Sequence, residues 1–287
     1  MNFLTYNAGL LDLRILGRSF IKPADWIEER FAALQPSLVR LDADIVALQE
    51  VYEPRHKNML IAGLSKIYPY ASVSPLKGPS VVPASLVTLS KWPIVTQEFI
   101  RFEQMPLAEK LVDNKGFLLT AINTPGGLLT VANVHTTAGG AIHPEHPKTD
   151  RIRSRQLEQL CRTVQTNGPV ILVGDFNCGS VSTRNYAQLL DAGYADIWTE
   201  ISPLDSGFTW EPTSILNVGG AHTKWGCPAQ RIDLILLNKL ALAALPPMHV
   251  KRVFVEQNVR ISDALSVTLS DHAGVLATLR DGSWSRC

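Results

Sequence analysis

The chain has 287 residues, 46% of them hydrophobic, with 27 Lys+Arg against 26 Asp+Glu and a net charge of +1. That composition supports a sizeable globular core, and the charge balance argues against a protein that holds nucleic acid mainly by neutralising phosphates. No run reaches the roughly 18 consecutive apolar residues of a membrane span. The cysteines Cys161, Cys178, Cys227 and Cys287 form no CxxC pair, so free thiols and a cytoplasmic location are expected.

The first apolar run, "NFLTYN" (2–7), reads as a strand that begins almost at Met1. An apolar loop, "AGLLDLRILGRSFIKP" (8–23), follows it. "PADWIEERFAALQPSLVRL" (23–41) reads as a helix that opens on Pro23 and is kinked or split by Pro36. A strand is expected at 44–50 and a helix at 53–67. Strands follow at 85–90, 117–122 and 128–135. The clearest helix spans 149–168, where Ile152, Leu157, Leu160, Cys161 and Val164 form a stripe at helical spacing. A strand at 169–177, a helix at 182–193 and strands at 231–237 and 273–279 complete the series. The irregular segments 136–148 and 201–230 are expected to be loops over a functional face. Strands occur both in alternation with helices and in direct succession. That mixture predicts sheets covered by helices on their outer faces, in one domain spanning 1–287.

The strands end in polar residues. "PVILVGDFN" runs into Asp175 and Asn177, two positions apart and so on one side of an extended chain. The same spacing recurs at Asn133 and His135, and at Arg231 and Asp233. Asn7 and Glu50 each close an apolar run, and Asp271 and His272 immediately precede another. Brought together, these ends would make a pocket of carboxylates, amides and imidazoles. Such a set suits a hard divalent cation, which prefers oxygen ligands and shares them with substrate phosphate. His135 and His272 would divide the proton transfers. Any one of these residues alone reads equally well as a turn former, a cap or a solvated charge; the ordered set carries the argument. "HPEHP" offers His143 and His146 as a zinc pair, although Pro144 and Pro147 argue against the helix that would align them. "FTWEP" (208–212) supplies either an aromatic wall or loop packing.

In order along the chain, "YN" (6–7), "LQE" (48–50), "LSKWPI" (89–94), "NVH" (133–135), "RSRQ" (153–156), "GDFN" (174–177), "RID" (231–233) and "SDH" (270–272) resemble the endonuclease/exonuclease/phosphatase superfamily. The resemblance implies a four-layer α/β/β/α sandwich of two packed, mainly antiparallel sheets flanked by helices. It also implies metal-dependent cleavage of a phosphate ester. Carried over motif by motif, Glu50 ligates Mg²⁺, or Mn²⁺ or another divalent cation, with Asn7 nearby. Asp175 and Asn177 position the nucleophile and phosphate. Asp271 orients His272 as general base, although in some branches the first acid of "GDFN" takes that part. His135 contacts the phosphate or serves the leaving group, and Asp233 supports it. Lys115, Asn133 and Arg153 are candidate substrate contacts.

Within the superfamily, "SLVTLSKWPI", "NKGFLL", "NVHTT", "RSRQLEQL" and "SDHAGVLATL" are most similar to neutral sphingomyelinases. This similarity implies a monomeric phosphodiesterase acting on a phospholipid headgroup, with the apolar 8–23 loop as a peripheral membrane contact. The alternatives are a nuclease of the same fold, acting on DNA or RNA, and a non-catalytic binding module that kept the fold.

Overall fold

The structure, a computed structural model, describes residues 1–15, 18–75, 80–139, 147–178, 183–220, 226–280 and 282. In chain order the strands are β1 (Asn2–Asn7), β2 (Leu13–Ile15), β3 (Arg18–Ile21), β4 (Ile45–Gln49), β5 (Tyr70–Val73), β6 (Val87–Ser90), β7 (Ile94–Arg101) and β8 (Gly116–Thr124). They continue with β9 (Gly127–His135), β10 (Val170–Asp175), β11 (Tyr194–Asp196), β12 (Asp233–Asn238), β13 (Pro247–Val253), β14 (Val259–Arg260), β15 (Ser266–Val267) and β16 (Gly274–Leu279). The helices are α1 (Ile27–Leu41), α2 (Pro54–Leu64), α3 (Leu107–Val112), α4 (Pro147–Thr163), α5 (Thr183–Asp191) and α6 (Ile197–Ile201), with a further short one at Lys239–Ala244.

Two six-stranded sheets form the centre, in the orders β13-β16-β1-β4-β6-β5 and β11-β12-β10-β9-β8-β7. Each is antiparallel except for one inner parallel pair, β1 with β4 and β10 with β9. Strand alternation builds the layers. Phe3, Ile45, Val131, Ile171, Val173, Ile235 and Ala277 meet between the sheets. Leu4, Tyr6, Val46 and Leu48 face Phe31, Leu34 and Leu38 of α1 and Leu60 of α2. Val134, Leu172 and Leu234 face Leu157 and Leu160 of α4 and Leu189 of α5. The result is helices, sheet, sheet, helices, as the family resemblance implies.

Details differ from the expectations. α1 starts at Ile27 rather than Pro23 and runs through Pro36 without ending. Burial of Phe31, Leu34 and Leu38 on one stripe outweighs the one helical hydrogen bond that a proline cannot make. The 8–23 loop is partly a hairpin, β2 with β3. Its Leu10 is buried in the α1 core, and Leu13 is buried against Tyr52 and Val82. These two side chains therefore make no lipid-facing rim. Leu16 and the side chains of Ile15 and Phe20 lie outside what is described. So do His143 and His146, and Cys287. Cys161, Cys178 and Cys227 are free thiols. Among the described residues, no helix is long and apolar enough to cross a membrane.

Candidate active site

The inward phase of the strands carries straight into the site. Asn7 continues the side of Phe3, Asp175 that of Ile171 and Val173, His135 that of Leu129 and Val131, and Asp233 that of Ile235 and Leu237. Register then aligns the ends. Asp175 stands opposite His135 on one side and Asp233 on the other. Glu50 is the exception. By alternation it would follow Val46 and Leu48 toward the helices, but its φ of 57° turns it back into the gap between the sheets.

Contacts knit these ends together. The Asn7 Nδ2 donates to Glu50 Oε1 at 3.1 Å and to Asp175 Oδ2 at 3.0 Å. The backbone N–H of Asn177, itself at φ 47°, donates to Asp175 Oδ1 at 2.9 Å, and the Asn177 amide donates to the Thr136 carbonyl. The His135 Nε2 lies 3.7 Å from Asp175 and 3.9 Å from Glu50. Lys115 Nζ donates to His135 Nε2 at 3.1 Å and to the Thr136 carbonyl at 2.9 Å. His272 Nδ1 pairs with Asp233 Oδ2 at 2.8 Å.

Burial and like charges set the electrostatics. Glu50 is pushed up to about 7 by burial and by the Asp271 carboxylate. Asp175 is pushed up to about 6 by burial and by Asp233. Burial holds His135 well below the ordinary histidine value, helped by the Lys115 ammonium, so it is neutral and can accept the lysine's proton donor. Burial works against charge on His272, but Asp233 outweighs it and raises its pKa well above the ordinary value. For Lys115 the carboxylates of Glu109, Asp113, Asp175 and Glu50 likewise outweigh burial and keep the amine charged.

Glu50, Asp175, Asn177, Lys115, His135, Asp271 and His272 line one cavity of about 570 Å³. Among the described residues, two groups have ligand atoms within 4.8 Å of one another: Glu50, His135 and Asp175, and Asp175, Asp233 and His272. The first fits a hard cation through its two carboxylates, because Lys115 already engages the His135 nitrogen; Asn7, expected beside the metal, braces those carboxylates through Nδ2 while its Oδ1 accepts from the Gly9 N–H.

Three expected roles change with the geometry. Asp271 does not orient His272. Asp233 does, because the β10–β12 register brings it under the imidazole, while Asp271 accepts from Ser270 Oγ and lies against Gly9. Asn133 does not reach the cavity. Fully buried, its amide donates to the Leu48 and Val87 carbonyls and accepts from Gln49 Nε2, tying one sheet to the other. Arg153 is also fully buried; it donates to the Thr137 carbonyl and pairs with Asp150, bracing the segment after β9.

The sequence reading missed several supports. Arg30, fully buried in α1, donates to the carbonyls of Ala8, Gly9 and Leu269, and so fastens the ends that carry Asn7 and His272. A charged residue inside an apolar helical stripe next to Phe31 was the available signal. Glu109 accepts from Thr137 Oγ1 at 2.7 Å and lies 3.7 Å from Lys115. Tyr52 Oη donates to Asp113, whose carboxyl burial pushes up to about 6. Trp210 lines the cavity and bridges by backbone to His272, so "FTWEP" provides both wall and packing.

Residues 4–272 match the Endonuclease/Exonuclease/phosphatase family. Sphingomyelinase C of Bacillus cereus is 24% identical over 225 residues, which cover 68% of this chain and 64% of that protein. The beta toxin of Staphylococcus aureus, solved as a double mutant with bound magnesium ions, superposes with a TM-score of 0.72 at 18% identity. That match covers 97% of this chain and 99% of the toxin. D. rerio TDP2 complexed with single strand DNA product gives 0.68 at 18% identity, covering 98% of each chain.

Proposed function

The chain belongs to the endonuclease/exonuclease/phosphatase family, and on that premise we propose that it is a metal-dependent phosphodiesterase whose substrate is a phospholipid headgroup ester. The observation that carries this reading is a cavity of two characters. Its floor holds Glu50, Asp175, Asp271, Lys115, His135 and His272, while Leu11, Ile21, Pro23, Ala108 and Val112 form an apolar wall. A phosphodiester with an aliphatic leaving group matches both parts.

His272, held by Asp233 through Nδ1, keeps Nε2 for a water proton. The water oxygen attacks phosphorus, the bond from phosphorus to the lipid oxygen breaks, and the departing alkoxide takes a proton from solvent to leave as the alcohol. Asp233 fixes the imidazole and stabilises the imidazolium that forms. Lys115 supplies positive charge for a phosphate oxygen, and His135, kept neutral beside it, orients that charge. Asn7 and Asn177 hold Asp175 in place. Glu50 and Asp175, braced by the Asn7 amide, are the groups that would hold Mg²⁺ or a similar divalent cation. Bound there, such an ion neutralises phosphate charge and lowers the pKa of water.

A nuclease is the second reading. The lining speaks against it: among the described residues the side chains there include Lys22 and Lys115 as the only lysines and no arginine, beside Glu50, Glu109, Asp113, Asp175 and Asp271. That is too little positive charge to track a nucleic-acid backbone. Headgroup release from sphingomyelin and lysophospholipids, measured beside DNA and RNA cleavage with and without Mg²⁺, tests the choice. Brisk nicking without any lipid product would reject the lipid reading.

A further inference from the structure

The apolar wall of the cavity continues onto the outer surface of the molecule. α3 supplies Ala108 and Val112 to the wall, while Leu107 and Leu111, four apart, point away from it at 72% and 58% exposure. Val81 stands beside them at 65% exposure. Its N–H donates to the Leu111 carbonyl and that of Val82 to the Val112 carbonyl, so the two segments form one unit. Exposed large apolar side chains clustered at a cavity mouth mark a contact surface, unlike those scattered singly.

Two features select the occupant. The first is continuity: the same short helix presents one face to the cavity and the other to solvent. Whatever covers Leu107 and Leu111 therefore also meets the tails of a substrate lying on Ala108 and Val112. The second is charge. Lys110 is exposed between the two leucines in sequence, while Lys22, a lysine of the cavity lining, is paired with Asp25. An exposed lysine bordering an apolar patch suits a surface of phosphate headgroups over hydrocarbon. The acid of the helix, Glu109, turns inward to Thr137 and Lys115.

We propose that Val81, Leu107 and Leu111 form a docking surface for a phospholipid bilayer, which seats the cavity mouth on the membrane. This rests on the phospholipid reading of the same site and replaces the 8–23 loop as the principal contact. The surface works by inserting side chains that line no part of the catalytic floor, so vesicle binding and catalysis on a dissolved substrate are separable.

The test is co-sedimentation of the full chain with unilamellar vesicles of phosphatidylcholine and sphingomyelin. It is paired with hydrolysis of a water-soluble diester, bis(p-nitrophenyl) phosphate. Leu107→Ser with Leu111→Ser should lower vesicle partitioning by about 10- to 100-fold and leave soluble-diester hydrolysis and the melting temperature unchanged. Val95→Ser with Leu190→Ser, exposed apolar positions on β7 and α5, should change nothing. Wild-type protein that stays in the supernatant, or a double serine variant that sediments as well as wild type, overturns the proposal. So does a wild-type dimer that the same double variant turns into a monomer, since a second copy then covers the patch. The two readings fail differently. Vesicle binding through these leucines without any headgroup release rejects the phospholipid substrate and leaves the docking surface standing. Hydrolysis of a short-chain monomeric phospholipid without vesicle binding does the reverse.

Discussion

At the scale of single residues, the acid that holds the general base is exchanged for another: Asp233 takes the part that motif order assigns to Asp271. "SDH" puts Asp271 next to His272 in sequence, and adjacency makes it the obvious partner. In an extended chain, though, neighbours point to opposite sides, and the residue that faces a side chain comes from another strand. Only the β10–β12 register reveals Asp233. The exchange has measurable consequences. His272→Ala should lower turnover by about 10²–10⁴-fold. Asp233→Asn should lower the maximal rate comparably and also move the pH profile. Protonated His272 cannot accept a proton, so activity rises with pH through its raised pKa. Without the Asp233 carboxylate that acidic limb should shift down toward the ordinary histidine range. Asp271→Asn should move the limb in the same direction but less, because its carboxylate also raises His272 and ranks behind Asp233. A pH–rate profile for each variant decides between the two acids. The sequence marked Asn7, Glu50, His135, Asp175 and His272 as site residues because each bordered an apolar run. It misread Asn133, whose partners Leu48, Gln49 and Val87 lie on the other sheet.

At the scale of elements, the strands that were legible are those buried on both faces. β1, β4, β6, β8, β9, β10, β12 and β16 read as apolar runs because each is covered by a helix layer on one side and the second sheet on the other. β7, most of whose residues are exposed or half-buried, carries no such run and was missed. The short β5 and the edge strand β13 escaped for the same reason. Between elements, close approach fixes residue choice. A Cβ on Gly174, at φ 138°, would lie 2.0 Å from the Val134 carbonyl oxygen, so the residue before Asp175 in "GDFN" has to be glycine for β10 and β9 to pair. Gly174→Ala should destabilise by on the order of 3 kcal/mol or more, read as a fall in denaturant midpoint at constant slope. Asn133→Ala should cost about 2–4 kcal/mol, because it leaves buried carbonyls of the facing sheet without donors. If Asn133 is a tie between sheets, the variant's KM on any soluble diester stays within about twofold of wild type even as its stability falls.

At the scale of the whole molecule, folding gathers carboxylates that repel one another. Glu50 and Asp175 carry raised pKa values, about 7 and about 6. A carboxyl raised above its unfolded value adds stability that is full below the unfolded pKa, near 4, and lost as pH climbs through the folded value. The protein without divalent cation should therefore lose stability between about pH 4 and pH 7. Mg²⁺ binds the deprotonated site, so its gain in melting temperature should be larger at pH 8 than at pH 5. At a hundredfold excess over Kd that gain corresponds to about 2.7 kcal/mol. Glu50→Gln should shrink it at pH 8, and thermal scans with and without Mg²⁺ measure both effects. Sheets covered by helices were legible from the order of strands and helices, and their packing as a four-layer sandwich was implied by the family resemblance. The cavity's apolar wall was not, since Leu11, Ile21, Ala108 and Val112 come from separate segments whose meeting no local pattern announces.

Catalysis requires one convergence, of Glu50, Asp175 and the Asp233–His272 pair from both sheets onto a single phosphoryl group. The most direct measurement is phosphocholine release from sphingomyelin vesicles by wild-type, Glu50→Gln and His272→Ala protein across a Mg²⁺ titration. Saturable, Mg²⁺-dependent release is predicted for wild type, a weakened Mg²⁺ response for Glu50→Gln, and a turnover about 10²–10⁴-fold lower for His272→Ala. Equal rates in all three proteins, or release indifferent to Mg²⁺, would contradict it.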